Sequence, residues 1–100
     1  MPLIYHITTR LEWNVALKKG YYTAPSLETE GFIHCCRKDQ ITGVLDRYYK
    51  GQTGLVLLLI VAEKLQSEVI TEWSPAGKDE FPHVYGPILT EAVIDVRTFA

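Results

Sequence analysis

Apolar and polar positions alternate along Leu3-Ile4-Tyr5-His6-Ile7-Thr8, a strand signature that puts Ile4, His6 and Thr8 on one face. The pattern then changes period. Thr9-Arg10-Leu11-Glu12 has the form of a capping box, in which Thr9 and Glu12 satisfy each other's backbone N–H groups, so a helix is expected over residues 10–19. Leu11, Trp13, Val15, Ala16 and Leu17 give it a broad apolar face, Lys18 and Lys19 complement its C-terminal dipole, and Gly20 is placed to end it. Tyr21-Tyr22-Thr23 reads as a short strand. Residues 24–31 form a turn-rich connection in which Ser26 is placed to cap one helical turn.

Gly31 breaks that connection, and Phe32-Ile33-His34-Cys35-Cys36 follows as a short strand ended by Arg37-Lys38-Asp39. A second helix is expected over residues 39–50, because Ile41, Val44, Leu45 and Tyr48 recur at i, i+3, i+4 and i+7. Leu55 to Val61 is apolar throughout and reads as a buried strand; Glu68 to Trp73 alternates in part and reads as a further strand, with Glu68 and Glu72 on an exposed edge where either carboxylate could border a cleft. Ser74 to Gly77 is a loop. Prolines restrict the extended stretch Phe81-Pro82-His83-Val84-Tyr85-Gly86-Pro87-Ile88, and a final strand from Ala92 to Arg97 puts Ala92, Ile94 and Val96 on one face. This order of elements predicts an α+β fold, with two helices and largely antiparallel sheets.

Composition narrows the class. A chain of 100 residues, 47% hydrophobic, makes one domain with a single core. Its formal charge of -2 comes from interspersed signs, which argues against a nucleic-acid or anionic-lipid surface. The longest apolar run, Leu55 to Ala62, is far short of the ~20 residues of a membrane-spanning helix. No basic segment followed by an apolar region opens the chain, and the adjacent Cys35 and Cys36 read as free thiols; both favour the cytoplasm. The glycine-rich phosphate loops are absent.

The candidate chemistry lies in three histidines, each followed two positions later by a hydrogen-bond donor: His6 with Thr8, His34 with Cys36, and His83 with Tyr85. Extended backbone turns both members of each pair to one side, so the three pairs suggest one shared cleft in which imidazole serves as acid, base or orienting donor. A three-histidine metal site is the rival reading, although no local ligand pair of the H-x-H or H-x-x-x-H type supports it. A nucleophilic Cys35 or Cys36 lacks an orienting third residue. His6-Ile7-Thr8 also has the H-x-T form of two-histidine phosphoesterases, but the second element, His34-Cys35-Cys36, lacks the hydroxyl.

Three blocks carry a resemblance. Ile4-Tyr5-His6-Ile7, Glu30-Gly31-Phe32-Ile33-His34-Cys35 and Phe81-Pro82-His83-Val84-Tyr85-Gly86-Pro87 are similar to the signature blocks of uncharacterised-domain family 952, small bacterial and plant proteins. Cys36 stands where that family usually has Ser. The resemblance implies an ADP-ribosyltransferase-like fold, with small split sheets around a cleft for NAD. In those enzymes a histidine followed closely by Thr or Ser on the first strand contacts the NAD ribose, and His6 and Thr8 resemble that element. The catalytic glutamate of those enzymes has no clear counterpart. The expectation is a domain that binds a nucleotide or NAD-like ligand through His6, Thr8, Ser26 and Tyr85, with His34 and His83 as catalytic groups for glycosyl or phosphoryl-ester transfer. The alternatives are a metal-dependent hydrolase and a non-catalytic interaction module.

Overall fold

The computed structural model describes residues 3–99. Strand β1 (Leu3–Thr9) leads into helix α1 (Arg10–Lys19), strand β2 (Tyr21–Tyr22), the short helix α2 (Pro25–Thr29) and strand β3 (Ile33–His34). Helix α3 (Ile41–Tyr48) follows, then strands β4 (Leu55–Val61), β5 (Glu68–Ser74), β6 (Asp79–Tyr85), β7 (Ile88–Leu89) and β8 (Val93–Thr98). Three antiparallel sheets result, ordered β1-β4-β8, β2-β7 and β3-β6-β5. The architecture is α+β.

Strand β4 explains why the fold closes around its centre. All seven of its residues are buried, and they divide by alternation: Val56, Leu58 and Ile60 enter one core, Leu55, Leu57 and Leu59 another. The first core is covered by Trp13 and Ala16 of α1 together with Tyr22, Ile33, Val84 and Ile88. The second is covered by Ile41, Val44 and Leu45 of α3, with Tyr5, Ile7, Cys36 and Phe81. A continuous apolar run is therefore a strand buried on both faces. The expected alternation of β1 holds too, since Ile4 enters the first core while Tyr5 and Ile7 enter the second.

Thr9 caps α1 by accepting from the Glu12 backbone N–H at 3.1 Å, and Gly20 ends the helix with a φ of 89°. Removing the cap, Thr9→Ala, is expected to cost about 1 kcal/mol in urea unfolding. The broad apolar face expected for α1 is narrower in the structure. Trp13 and Ala16 are buried one turn apart, whereas Leu11, Val15 and Leu17 are 74%, 48% and 55% exposed. A helix lying flat on one sheet buries a single stripe, and 100° per residue carries those three away from it.

Four other expectations shift. A tight turn over Lys38–Gln40, in which the buried Gln40 side chain accepts from the Arg37 N–H at 2.8 Å, delays the second long helix until Ile41. The strand expected over residues 32–36 pairs with β6 only at Ile33 and His34 before Cys36 bridges to Tyr5. Ser26 lies inside α2, capped instead by Ala24, and donates to the Phe32 carbonyl at 2.8 Å. In β8 the core-facing residues are Val93 and Val96, while Ile94 is 53% exposed and Ala92 precedes the strand. The cause is a bulge: Leu59 faces Asp95 and Ile60 faces Val93, leaving Ile94 as the extra residue.

The Tyr5–Cys36 bridge fixes where the sheets meet. Tyr5 and Cys36 exchange backbone hydrogen bonds of 2.9 and 2.8 Å, joining edge strand β1 of one sheet to the segment leaving edge strand β3 of another. His6 and His34 flank this seam.

Candidate functional site

A cleft of about 840 Å³ opens at the seam, walled by β1, the start of α1, Tyr22, the start of α2, residues 34–36, α3 and the loop after β5. All three histidines line it, along with Thr8 and Ser26. The three imidazoles, spread from position 6 to position 83 in the chain, thus border one space, which the interaction-module alternative did not anticipate.

His6 is buried and fully engaged. Its Nδ1–H donates to the His34 carbonyl, and its Nε2 lies 2.8 Å from the Tyr22 hydroxyl, which is in turn 3.1 Å from Thr8 Oγ1. A carbonyl only accepts, so Nδ1 carries the proton, Nε2 accepts from Tyr22, and the single hydroxyl proton of Tyr22 leaves Thr8 to donate to Tyr22. Burial lowers the His6 pKa from 6.5 to about 4, so the ring is neutral at pH 7. Burial also pushes the Tyr22 hydroxyl well above its ordinary range. His6 therefore positions Tyr22 and the backbone of β3, and leaves Thr8 at the cleft wall.

His83 is different. It is 5% exposed, its Nδ1 lies 2.8 Å from Glu72 Oε1, and its Nε2 has no hydrogen-bond partner. Because an ionised carboxylate only accepts, Nδ1 holds the proton in the neutral ring and Nε2 carries a bare lone pair. The Phe32 ring stacks on the imidazole at 4.0 Å and 12°, fixing its plane. Tyr85 donates to the same Glu72 oxygen, and the bonds from Tyr85 and then His83 hold the Glu72 carboxyl below the usual carboxylate range. The bond to Glu72 likewise raises the Tyr85 hydroxyl.

His34 sits opposite His83 in the strand register, with the two ring centroids 5.4 Å apart and nearly perpendicular. Unlike the other two it is exposed, and it is tethered at Nε2 to Glu30 at 3.0 Å.

The candidates thus separate by position. Thr8, Ser26, His6, His34 and His83 border the cleft, whereas Tyr85 lies outside its lining and acts on it through Glu72. Tyr22 and Glu72 are the partners whose roles the sequence does not give: the Tyr21-Tyr22-Thr23 strand carries no sign of the bond to His6, and Glu72, an edge carboxylate open to a place beside a cleft, is not paired with His83 by any local pattern.

The cysteines are unsuited to nucleophilic work. Cys35 enters the first core and Cys36 the second, so their side chains point apart, and burial raises both thiols, Cys36 to about 11. The metal alternative also loses its basis. No group of three or more His, Cys, Asp or Glu among the described residues is arranged to hold a metal ion, and both His6 nitrogens are already taken. No helix among them is long and apolar enough to cross a membrane.

Residues 7–96 match the family described as protein of unknown function (DUF952). The crystal structure of protein CC0527 from Caulobacter crescentus is similar at 35% identity and a TM-score of 0.84, covering 94% of this chain and 82% of that one. The solution NMR structure of CC0527 gives 35% identity and a TM-score of 0.81, with 96% and 83% covered. No curated protein matches the chain.

Proposed function

The chain belongs to the DUF952 family, and from its cleft we propose that it binds a nucleotide- or NAD-like small molecule, with His83 Nε2 as the group that accepts a proton from it. The unpartnered His83 Nε2, oriented by Glu72 in the wall of the cleft, is the observation that carries this reading. A buried polar atom without a partner costs free energy, roughly 1–3 kcal/mol, and a lone pair held against a cleft regains it when a ligand donates to it. A volume near 840 Å³ suits a ligand of nucleoside size or somewhat larger.

The chain's own residues divide the work. Glu72 and Phe32 fix the His83 tautomer and ring plane, His34 stands at the entrance, and Thr8 and Ser26 supply hydroxyls along the wall. The split sheets around the cleft suit the ADP-ribosyltransferase-like arrangement that the three sequence blocks imply. A ligand of the NAD type would supply a glycosidic bond to the ribose. Glycosyl or phosphoryl-ester transfer is the chemistry in which an oriented imidazole base would serve, and the two free thiols are in keeping with action in the cytoplasm.

Calorimetric titration with NAD, ADP-ribose, nucleosides and cyclic nucleotides tests this. We expect saturable binding to at least one of them, weakened about tenfold or more by His83→Phe, which keeps the stack on Phe32 and removes Nε2. Imidazole ¹⁵N spectra should show the Nδ1–H tautomer of His83, and lose that preference in Glu72→Leu, which removes the acceptor. Absence of saturable binding, or binding that His83→Phe leaves intact, would overturn the reading.

A further inference from the structure

An edge strand presents unpaired backbone groups to any other strand, and this fold treats two of its edges differently. Among the described residues β8 pairs only with β4, and β5 only with β6. The β8 edge is closed to addition. A bulge at Ile94 bends it, its Val96 N–H donates to Asp95 Oδ1 at 2.9 Å, and Arg97 holds the other carboxylate oxygen at 3.1 Å. By contrast, β5 pairs with β6 over seven residues in unbroken register. None of its residues is buried, and Ile70 and Trp73 are 36% and 61% exposed.

Pro82 reveals which β5 groups face outward. Its carbonyl accepts from the Cys35 N–H at 3.1 Å, so it is turned toward β3 and away from β5. Thr71 is the residue opposite Pro82. In an antiparallel ladder two opposed residues direct their backbone groups either at each other or both away. The N–H and C=O of Thr71 therefore point to the open edge, and by alternation so do those of Val69 and Trp73. No strand among the described residues pairs with them.

Such an edge takes an extended strand, and β5 complements a second copy of itself. About a two-fold axis at Thr71 the whole strand pairs antiparallel: Thr71 faces Thr71, Val69 faces Trp73, Ile70 faces Glu72 and Glu68 faces Ser74. The outward-pointing residues meet only one another in this register, so each of their pairs exchanges two backbone hydrogen bonds. Threonine on threonine and an aromatic on a β-branched side chain are favourable cross-strand pairs, and no like charges stand directly opposite. A basic foreign strand is matched less well, because Glu72 is already held by His83 and Tyr85.

We propose that the chain self-associates through β5 as a two-fold dimer, in which the β3-β6-β5 sheet continues into that of the second copy. Trp73 is then covered by Val69 of the other copy.

Sedimentation velocity of the full chain from ~5 μM to ~1 mM tests this, with a Kd on the order of 10–100 μM expected for a single strand pair. Thr71→Pro removes an N–H that faces outward and leaves the bonds to β6 in place, so it should fold, as checked by circular dichroism, yet stay monomeric throughout that range. Trp73→Lys, at an exposed position, should weaken the dimer about tenfold or more. Arg97→Glu, on the closed β8 edge, should leave it unchanged. A wild-type chain that is monomeric at every concentration would overturn the proposal, as would a dimer that survives in folded Thr71→Pro or one that Arg97→Glu weakens as much as Trp73→Lys does. Should Thr71→Pro fail to fold, Trp73→Lys decides: a dimer of undiminished affinity in that variant overturns the proposal.

Discussion

Lowering the pH from 7 to 4 is expected to remove about 3 kcal/mol of stability through His6 alone. The folded ring has a pKa of about 4 against 6.5 for an unperturbed histidine, because burial disfavours its charged form. The unfolded chain therefore takes up this proton first as the solution is acidified. The contribution is present in full above about pH 6.5, declines as pH falls, and is lost once pH passes through the folded value near 4. At 1.36 kcal/mol per unit the difference is about 3 kcal/mol, a large part of the 5–15 kcal/mol typical of a domain this size. Urea unfolding of wild type and His6→Gln at several pH values checks it. His6→Gln keeps a donor and an acceptor, so it should be less stable at pH 7 yet lose less stability on acidification between pH 6.5 and 4. Parallel pH profiles for the two proteins would contradict the assignment. Glu72 and Asp79, both held below the ordinary carboxylate range, act lower in pH and in both proteins alike.

That prediction rests on a feature half visible in the sequence. Alternation along Leu3 to Thr8 placed His6 and Thr8 on one face, and the structure gives both the same neighbour, Tyr22. What alternation cannot show is that Tyr22, beyond the helix, returns to consume the His6 lone pair. The ring that resembled a ligand contact is thereby committed to holding the wall. His83 was singled out by the proline-bracketed block around it, but its partner was not. In backbone register Glu72 faces Phe81 and Ile70 faces His83, so the Glu72 carboxylate reaches His83 diagonally across two strands. Such a contact depends on the pairing register of β5 with β6, which no local pattern encodes.

The regular elements were more legible than their faces. The apolar run at β4 and the cap at Thr9 announce a strand and a helix because burial and hydrogen bonding act over neighbouring residues. The bulge at Ile94 exchanges one core-facing set for another without changing the composition of the strand. The Tyr5–Cys36 bridge is likewise a matter of long-range pairing, and both of its residues line the cleft.

Gly86→Ala is expected to destabilise the protein by about 2–4 kcal/mol, although the glycine lies outside the cleft lining. Gly86 has a φ of 156°, and a Cβ there would lie 2.4 Å from Ser67 Oγ and 2.9 Å from Ser67 Cβ. Rotating the hydroxyl away is not sufficient, because the Cβ contact stays too short, and rotation also breaks the 2.7 Å bond that Ser67 donates to the Pro87 carbonyl. The clash separates the residue before β5 from the residue after β6, next to the Glu68–Tyr85 pair that starts their ladder. Gly20→Ala is the control for backbone strain alone, since φ is 89° there and a Cβ would meet nothing within 4 Å; about 1 kcal/mol is expected. Removing the obstructing side chain should then separate the two causes. In Ser67→Gly the added cost of Gly86→Ala should fall toward that of Gly20→Ala, because only the strain remains. An unchanged cost in that background would show that the close approach to Ser67 is not what keeps glycine at this position. Since Tyr85 holds Glu72 and Glu72 orients His83, a ladder loosened at Tyr85 should also weaken the His83 Nδ1–H tautomer preference in the ¹⁵N spectrum, linking this backbone contact to the cleft.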